Sequence, residues 1–216
     1  MCIRDRAKVN SDNTSGIIIS LNCETDFVAK NDDYVQLAQR LSDHALGFTN
    51  KESFLDSDFD GMKVSEKLLE QTGIIGEKIE IGSFEHISAS FVGSYIHAGN
   101  KIASIVGFSE NFDNASDVGK DLSMQIAAMN PVAIDENGVS QEIIAKEIEI
   151  AKDQLRQEGK PEEMLDNIAK GKLKKFFKEN TLINQQFIKD SKISISQYIK
   201  GFSDSVEVTD FSRVGL

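Results

Sequence analysis

The segment Asp56-Ser57-Asp58-Phe59-Asp60-Gly61 is the first place in this chain where residue types and spacing could do chemistry. D-x-D-x-D-G opens a calcium loop, whose oxygen shell is closed by a bidentate Glu at the twelfth position. Counted from Asp56, that position is Lys67, a cation, and Glu66 stands one residue short. A solvated acidic loop is therefore the reading, and no metal ligands are assigned. His44, His86 and His97 have no partner at HxxxH or CxxC…H spacing. Neither a GxSxG elbow nor a P-loop occurs. Cys23 could be a nucleophile only with a base to activate it, and no sign of one is visible. A small buried Cys at a strand end is the simpler role. The chain is not read as an enzyme, and no cofactor is implied.

The most unusual segment is Asn22-Cys23-Glu24-Thr25-Asp26-Phe27-Val28-Ala29-Lys30-Asn31. On residue chemistry alone, Thr25 or Asp26 caps a helix and Phe27 packs in the core. Yet the corresponding place later in the chain reads Ser109-Glu110-Asn111-Phe112-Asp113-Asn114 and has nothing like it. The segment thus carries something the architecture alone does not demand.

The elements that must position it are set by periodicity and turn chemistry. Lys8 to Asn10, a polar turn over 11–15, and the run Gly16 to Leu21 predict a hairpin ending in a buried strand. Asn31-Asp32 caps a helix carrying Val35, Ala38, Leu41 and Ala45 on one stripe. A short helix over 65–71 is expected to end at Gly73. Lys78 to Phe84 alternates with period two, and Phe91 to His97 turns at Ala98-Gly99-Asn100 into a strand over 101–108. A helix over 116–129 comes next, with Val118, Leu122, Ile126 and Met129 as its apolar stripe. Strand, turn, Ile-rich strand and helix have then appeared twice, which predicts two related α+β halves. From Val139 to Lys178 two stripes, Ile144/Ile148/Ala151/Leu155 and Leu165/Ala169/Leu173/Phe176, flank Gly159-Lys160-Pro161. That is an antiparallel helical hairpin. A last helix over 194–202 and a strand over 206–211 complete the chain.

Composition limits the function classes. The net charge is −11 with 24 basic and 35 acidic residues, so little is available to displace counterions from nucleic-acid phosphates. Cys2 and Cys23 make no disulfide framework, which suits a reducing, cytoplasmic compartment. No apolar run approaches the roughly 20 residues needed to span a bilayer. Met1 to Arg6 shares no pattern with the rest of the chain and reads as a foreign start.

The run from Asn22 to Asn31 resembles the NCETDFVA(R/K)N signature of the elongation factor Ts family and matches it without a substitution. Ser94-Tyr95-Ile96-His97, Met124 to Pro131, Gly159-Lys160-Pro161 and Leu173 to Phe177 extend the likeness over 7–216. The resemblance implies an α+β fold, with two related subdomains of antiparallel sheets and flanking helices and an inserted helical hairpin. The expected boundaries are 1–6 for the foreign start and 7–113 for the N-terminal core. The C-terminal core would take 114–138 and 179–216, and the hairpin 139–178. It also implies a guanine nucleotide exchange factor whose partner is elongation factor Tu. Thr25, Asp26, Phe27 and Val28 would meet that partner and disturb its magnesium site, with Asp26 and Phe27 as the intruding tip. The family's small ubiquitin-associated-like helical domain is expected to be missing ahead of Ala7. Gln125 stands where many members carry His. The competing reading is a scaffold that oligomerises, as a homodimer for example, through the hairpin.

Overall fold

The computed structural model describes residues 2–215. Met1, in the expected foreign start, and Leu216, in the expected C-terminal core, lie outside the described residues. The chain begins with β1 (Cys2–Val9), β2 (Ser15–Cys23), α1 (Asp26–Lys30), α2 (Asp32–Ala45) and α3 (Lys51–Asp56). It continues through β3 (Asp58–Phe59), β4 (Met62–Lys63), α4 (Val64–Ile75), β5 (Glu80–Ser88), β6 (Phe91–Ile96), β7 (Ile102–Phe108) and α5 (Ala115–Met129). The remainder is α6 (Gln141–Gln157), α7 (Glu162–Asn180), β8 (Gln186–Phe187), β9 (Asp190–Ser194), α8 (Ile195–Lys200) and β10 (Val208–Gly215). The fold class is α+β with antiparallel sheets. Residues up to Ala128 together with those from Ser205 form one compact unit, and Met129–Asp204 form another.

In the first unit, two three-stranded sheets run in the orders β1-β2-β5 and β10-β7-β6. Lys8 pairs with Ile17 and Val9 with Gly16, and β1 continues back along β2 through residues 2–6. Phe91 pairs with Phe108 and Ile96 with Ala103. Both hairpins expected from the turn residues are present. The turns use the residues that tolerate positive φ: Asn13 (54°) in the first, Gly99 (90°) and Asn100 (54°) in the second.

The Ile run of β2 does not alternate because both faces of the strand are covered. Ile17, Ile19, Leu21 and Cys23 pack among Leu37, Leu41, Phe54 and Leu68 of α2–α4. Ile18 points the other way, into Ile87, Val92, Ile105 and Val214 of the strands. Each such side chain stabilises the fold by about 1.5–3 kcal/mol.

Helix α5 approaches β6 backbone to backbone. A methyl group at Gly93 would lie 2.5 Å from the Gly119 Cα. The expected stripe of α5 is buried at Val118, Leu122 and Ile126, but Met129 is 46% exposed. Helix α4 does not stop at Gly73, around which there is open space. It runs on to Gly76, which takes the left-handed cap conformation (φ 80°) and donates its N–H to the Thr72 carbonyl at 2.9 Å.

Asp5 sits on β1 opposite Ser20 and is fully buried. Neither carboxylate oxygen has a hydrogen-bond partner among the described residues. Burial lifts its pKa from 3.8 to about 6, against a smaller pull from the Arg213 guanidinium. The folded state therefore holds the Asp5 proton more tightly than the unfolded chain. Stability is favoured below the unfolded pKa and is lost as pH rises through about 4 to 6. After allowance for solvent screening, the loss is about 1–2 kcal/mol. Asp5→Asn should therefore gain about that much on its parent between pH 4 and pH 8 in paired thermal or urea melts. A gain toward acid would refute this account.

In the second unit, Ser140 caps α6 through its hydroxyl, and Gly159 (φ 75°) turns the chain ahead of Pro161, the N-cap of α7. Ala151, Leu155, Leu165 and Ala169 form the buried seam of this antiparallel pair. Lys152 to Asp166 (2.9 Å) and Arg156 to Glu162 (2.8 Å) tie the two helices across solvent. Elsewhere in the unit, Phe187 stacks on Tyr198 at 4.2 Å between ring centres.

Candidate functional site: an exposed strand-to-helix corner

β2 ends at Cys23, whose thiol donates to the Thr25 carbonyl at 3.3 Å. Burial raises the pKa of that thiol, which argues against a thiolate nucleophile. Thr25, in extended conformation, is the N-cap of α1, and its hydroxyl accepts the Val28 N–H at 3.4 Å. Helix α1 has only five residues, and Ala29 is the one that is buried. Asn31 then leaves helical geometry (ψ 134°), and its side chain accepts the Asp33 and Tyr34 N–H groups to start α2. From α2, Tyr34 reaches back to donate to the Leu21 carbonyl at 2.7 Å. The corner is thus rooted in the core at both ends.

Of the four residues singled out by sequence, Thr25 caps and Val28 packs partly on the core. Asp26 and Phe27 face solvent. Asp26 makes a 3.7 Å ion pair with Lys30, one turn on. Phe27 is 88% exposed, so the core reading of this residue is wrong. Beside the ring lies a cleft of 410 Å³ lined by Phe27, Val28, Tyr34, Ile74 and Ile75 and by the polar Asn31, Asp33 and Gln71. On α4, Ile74 is itself 70% exposed. Two large apolar side chains therefore flank one cleft, the kind of exposed patch that marks an interaction surface.

Sequence reading did not find Ile74 or Glu77. Both belong to α4 and the turn after it, which reach the corner because β5 pairs with β2, Glu80 opposite Asn22. The period-two signal of β5 was visible, but nothing local said that it would pair there.

The other candidates are dispersed. Asp56 is paired with Lys63 and Asp60 with Arg40. Asp60 and Gly61 close the tight β3–β4 hairpin. His44 bonds Ser57, His86 bonds Ser15, and His97 bonds Tyr95. Gln125 is fully buried in α5. Among the described residues no helix is long and apolar enough to cross a membrane.

Residues 24–216 match the family model described as elongation factor TS. The chain is 60% identical to the elongation factor Ts of Christiangramia forsetii over 210 residues, covering 97% of this chain and 77% of that protein. It belongs to the elongation factor Ts family. The likeness to the Flavobacterium psychrophilum member is 55%, with the same coverage of both chains. To that of Amoebophilus asiaticus it is 45%, over 96% of this chain and 76% of the other. Membership places the chain among the factors of translation elongation, as the Asn22–Asn31 run implied. The exposed corner, at the start of the family match, and α4 both fall within it.

Proposed function

We propose that this chain is a guanine nucleotide exchange factor for elongation factor Tu, and that the corner Thr25–Val28 is its working tip. The observation that carries the reading is the exposure of Phe27 on a short, capped helix with little else to bury it. A ring of that size held in water gains by entering an apolar pocket, and rigid aromatics of this kind are typical hot spots. Asp26, beside it, brings a carboxylate to the same place. A GTPase holds GDP through phosphate contacts and a magnesium ion, and a tip that displaces those groups is incompatible with tight GDP. Binding of the factor and binding of GDP then weaken each other by the same factor.

The test is release of a fluorescent GDP from elongation factor Tu in excess unlabelled nucleotide, with and without the chain. Release accelerated about tenfold or more is expected, within the usual range of such coupling. Unchanged release at saturating concentrations of the chain would remove the reading.

A further inference from the structure

Glu77 lies in the turn between α4 and β5, remote in sequence from the corner but in contact with it. One of its carboxylate oxygens accepts the N–H groups of both Glu24 and Thr25, each at 3.0 Å. The other accepts the Thr25 hydroxyl proton at 2.5 Å. That hydroxyl has one proton to donate and lone pairs to accept. Committing its proton to Glu77 leaves a lone pair for the Val28 N–H, the bond that starts α1. Three donors at the strand-to-helix junction thus converge on one carboxylate.

Glu77 is itself held from both sides. Gly76 donates to the Thr72 carbonyl at 2.9 Å, and the Ile79 N–H donates to the Thr72 hydroxyl at 3.0 Å. That hydroxyl passes its own proton to the Leu68 carbonyl at 3.0 Å. The turn is therefore stapled to the last turns of α4, with Ile79 buried behind it. Hydrogen bonding to Thr25 lowers the Glu77 pKa, so the carboxylate is charged at neutral pH.

Packing holds only the base of the tip, at Ala29 and in part at Val28, while Asp26 and Phe27 face solvent. Where packing is absent, hydrogen bonds must set the direction in which the ring points. We infer that Glu77 is the positioning residue of the exchange tip, fixing the corner through Glu24 and Thr25 so that Asp26 and Phe27 are presented in one orientation. It does so without touching the partner's nucleotide. The inference rests on the reading of Thr25–Val28 as the working tip. Its energetic logic is preorganisation: if the competent orientation is populated only in part, apparent affinity falls by that fraction.

The experiment compares Glu77→Ala, Glu77→Gln, Phe27→Ala and the Glu77→Ala/Phe27→Ala pair in catalysed GDP release from elongation factor Tu. Thermal melts and amide hydrogen exchange at Glu24 and Thr25 accompany it. Glu77→Ala should lower the second-order rate constant about tenfold, the loss expected if about one tenth of the tip population stays competent. Its melting temperature should hold, while protection of the two amides is lost. Glu77→Gln keeps an acceptor oxygen for both amides and should recover most of the rate. The double variant should be slowed by less than the product of the two single effects, because Glu77 acts through the tip and only Asp26 remains for it to position. Slowed release by Phe27→Ala with normal release by Glu77→Ala would overturn the inference and leave the tip reading standing. Additive effects in the double variant would also overturn it. Normal release by Phe27→Ala would remove the tip reading, and with it any positioning role for Glu77.

Discussion

Phe27→Ala should leave the melting temperature within about 2 °C of the parent and slow catalysed GDP release about thirtyfold. The first half follows from exposure. With 88% of the ring accessible in the free protein, its removal opens no cavity and returns little apolar area to water. The same truncation at Phe54, which is fully buried among α2–α4, should cost about 3–5 kcal/mol and serves as the control. The second half follows from the proposed role of Phe27 as an aromatic anchor on the partner. About 2 kcal/mol is the usual threshold for a hot spot and converts to roughly thirtyfold in an equilibrium or rate. Asp26→Ala should be nearly silent in stability, because Thr25 is the cap and the Asp26–Lys30 pair is worth only about 0.3–0.5 kcal/mol. Melts and exchange kinetics on the same preparations decide the matter. A Phe27→Ala protein that melts early while its folded fraction exchanges normally would make the residue structural.

The largest loss of stability from adding a single carbon is expected at Gly93. A methyl group there would meet the Cα, C and O atoms of Gly119 at 2.5–2.8 Å, closer than carbon atoms can stand. The obstruction is backbone, so no rotamer change relieves it. Either α5 lifts from β6 or the hairpin bends, and Val118, Leu122 and Ile126 lose their contacts as a group. Overpacking of this kind costs about 3 kcal/mol. For a chain of this size that is about 10 °C in melting temperature. Gly73→Ala is the matched control: the site lies within α4, has open space around it, and should gain up to about 1 kcal/mol in helix propensity. Differential scanning calorimetry of the two variants would show opposite shifts. A Gly93→Ala protein as stable as the parent would mean that α5 is not seated as described.

Elements whose pattern and turn chemistry agree were legible in the sequence. The Ile runs of β2 and β7, bounded by Asn and Gly turns, could only be buried strands, and Gly159-Lys160-Pro161 could only separate two helices. Gly73 was misleading because a glycine stops a helix only where the chain takes the left-handed turn, which Gly76 does. Met129 was misleading in the opposite sense, since it is on the apolar stripe yet near the helix end, where α5 no longer faces its neighbours. For the site, Thr25–Val28 could be located by its signature, but its chemistry was ambiguous. A Phe after a cap residue reads as core unless the fold says otherwise. Glu77 was out of reach, because its role depends on which strand β5 joins, a non-local choice that no window of sequence records.

β2 is enclosed by helices on one face and strands on the other, and its last residue stands four positions before Phe27. Opening that strand would require breaking two cores at once, so its amides should exchange only with global unfolding. The chain thus passes from a fully enclosed strand to a ring 88% exposed within about one turn of backbone. A load placed on the ring passes through the corner into a strand that does not yield. Under the proposed function, the corner acts as a short stylus in a fixed mount.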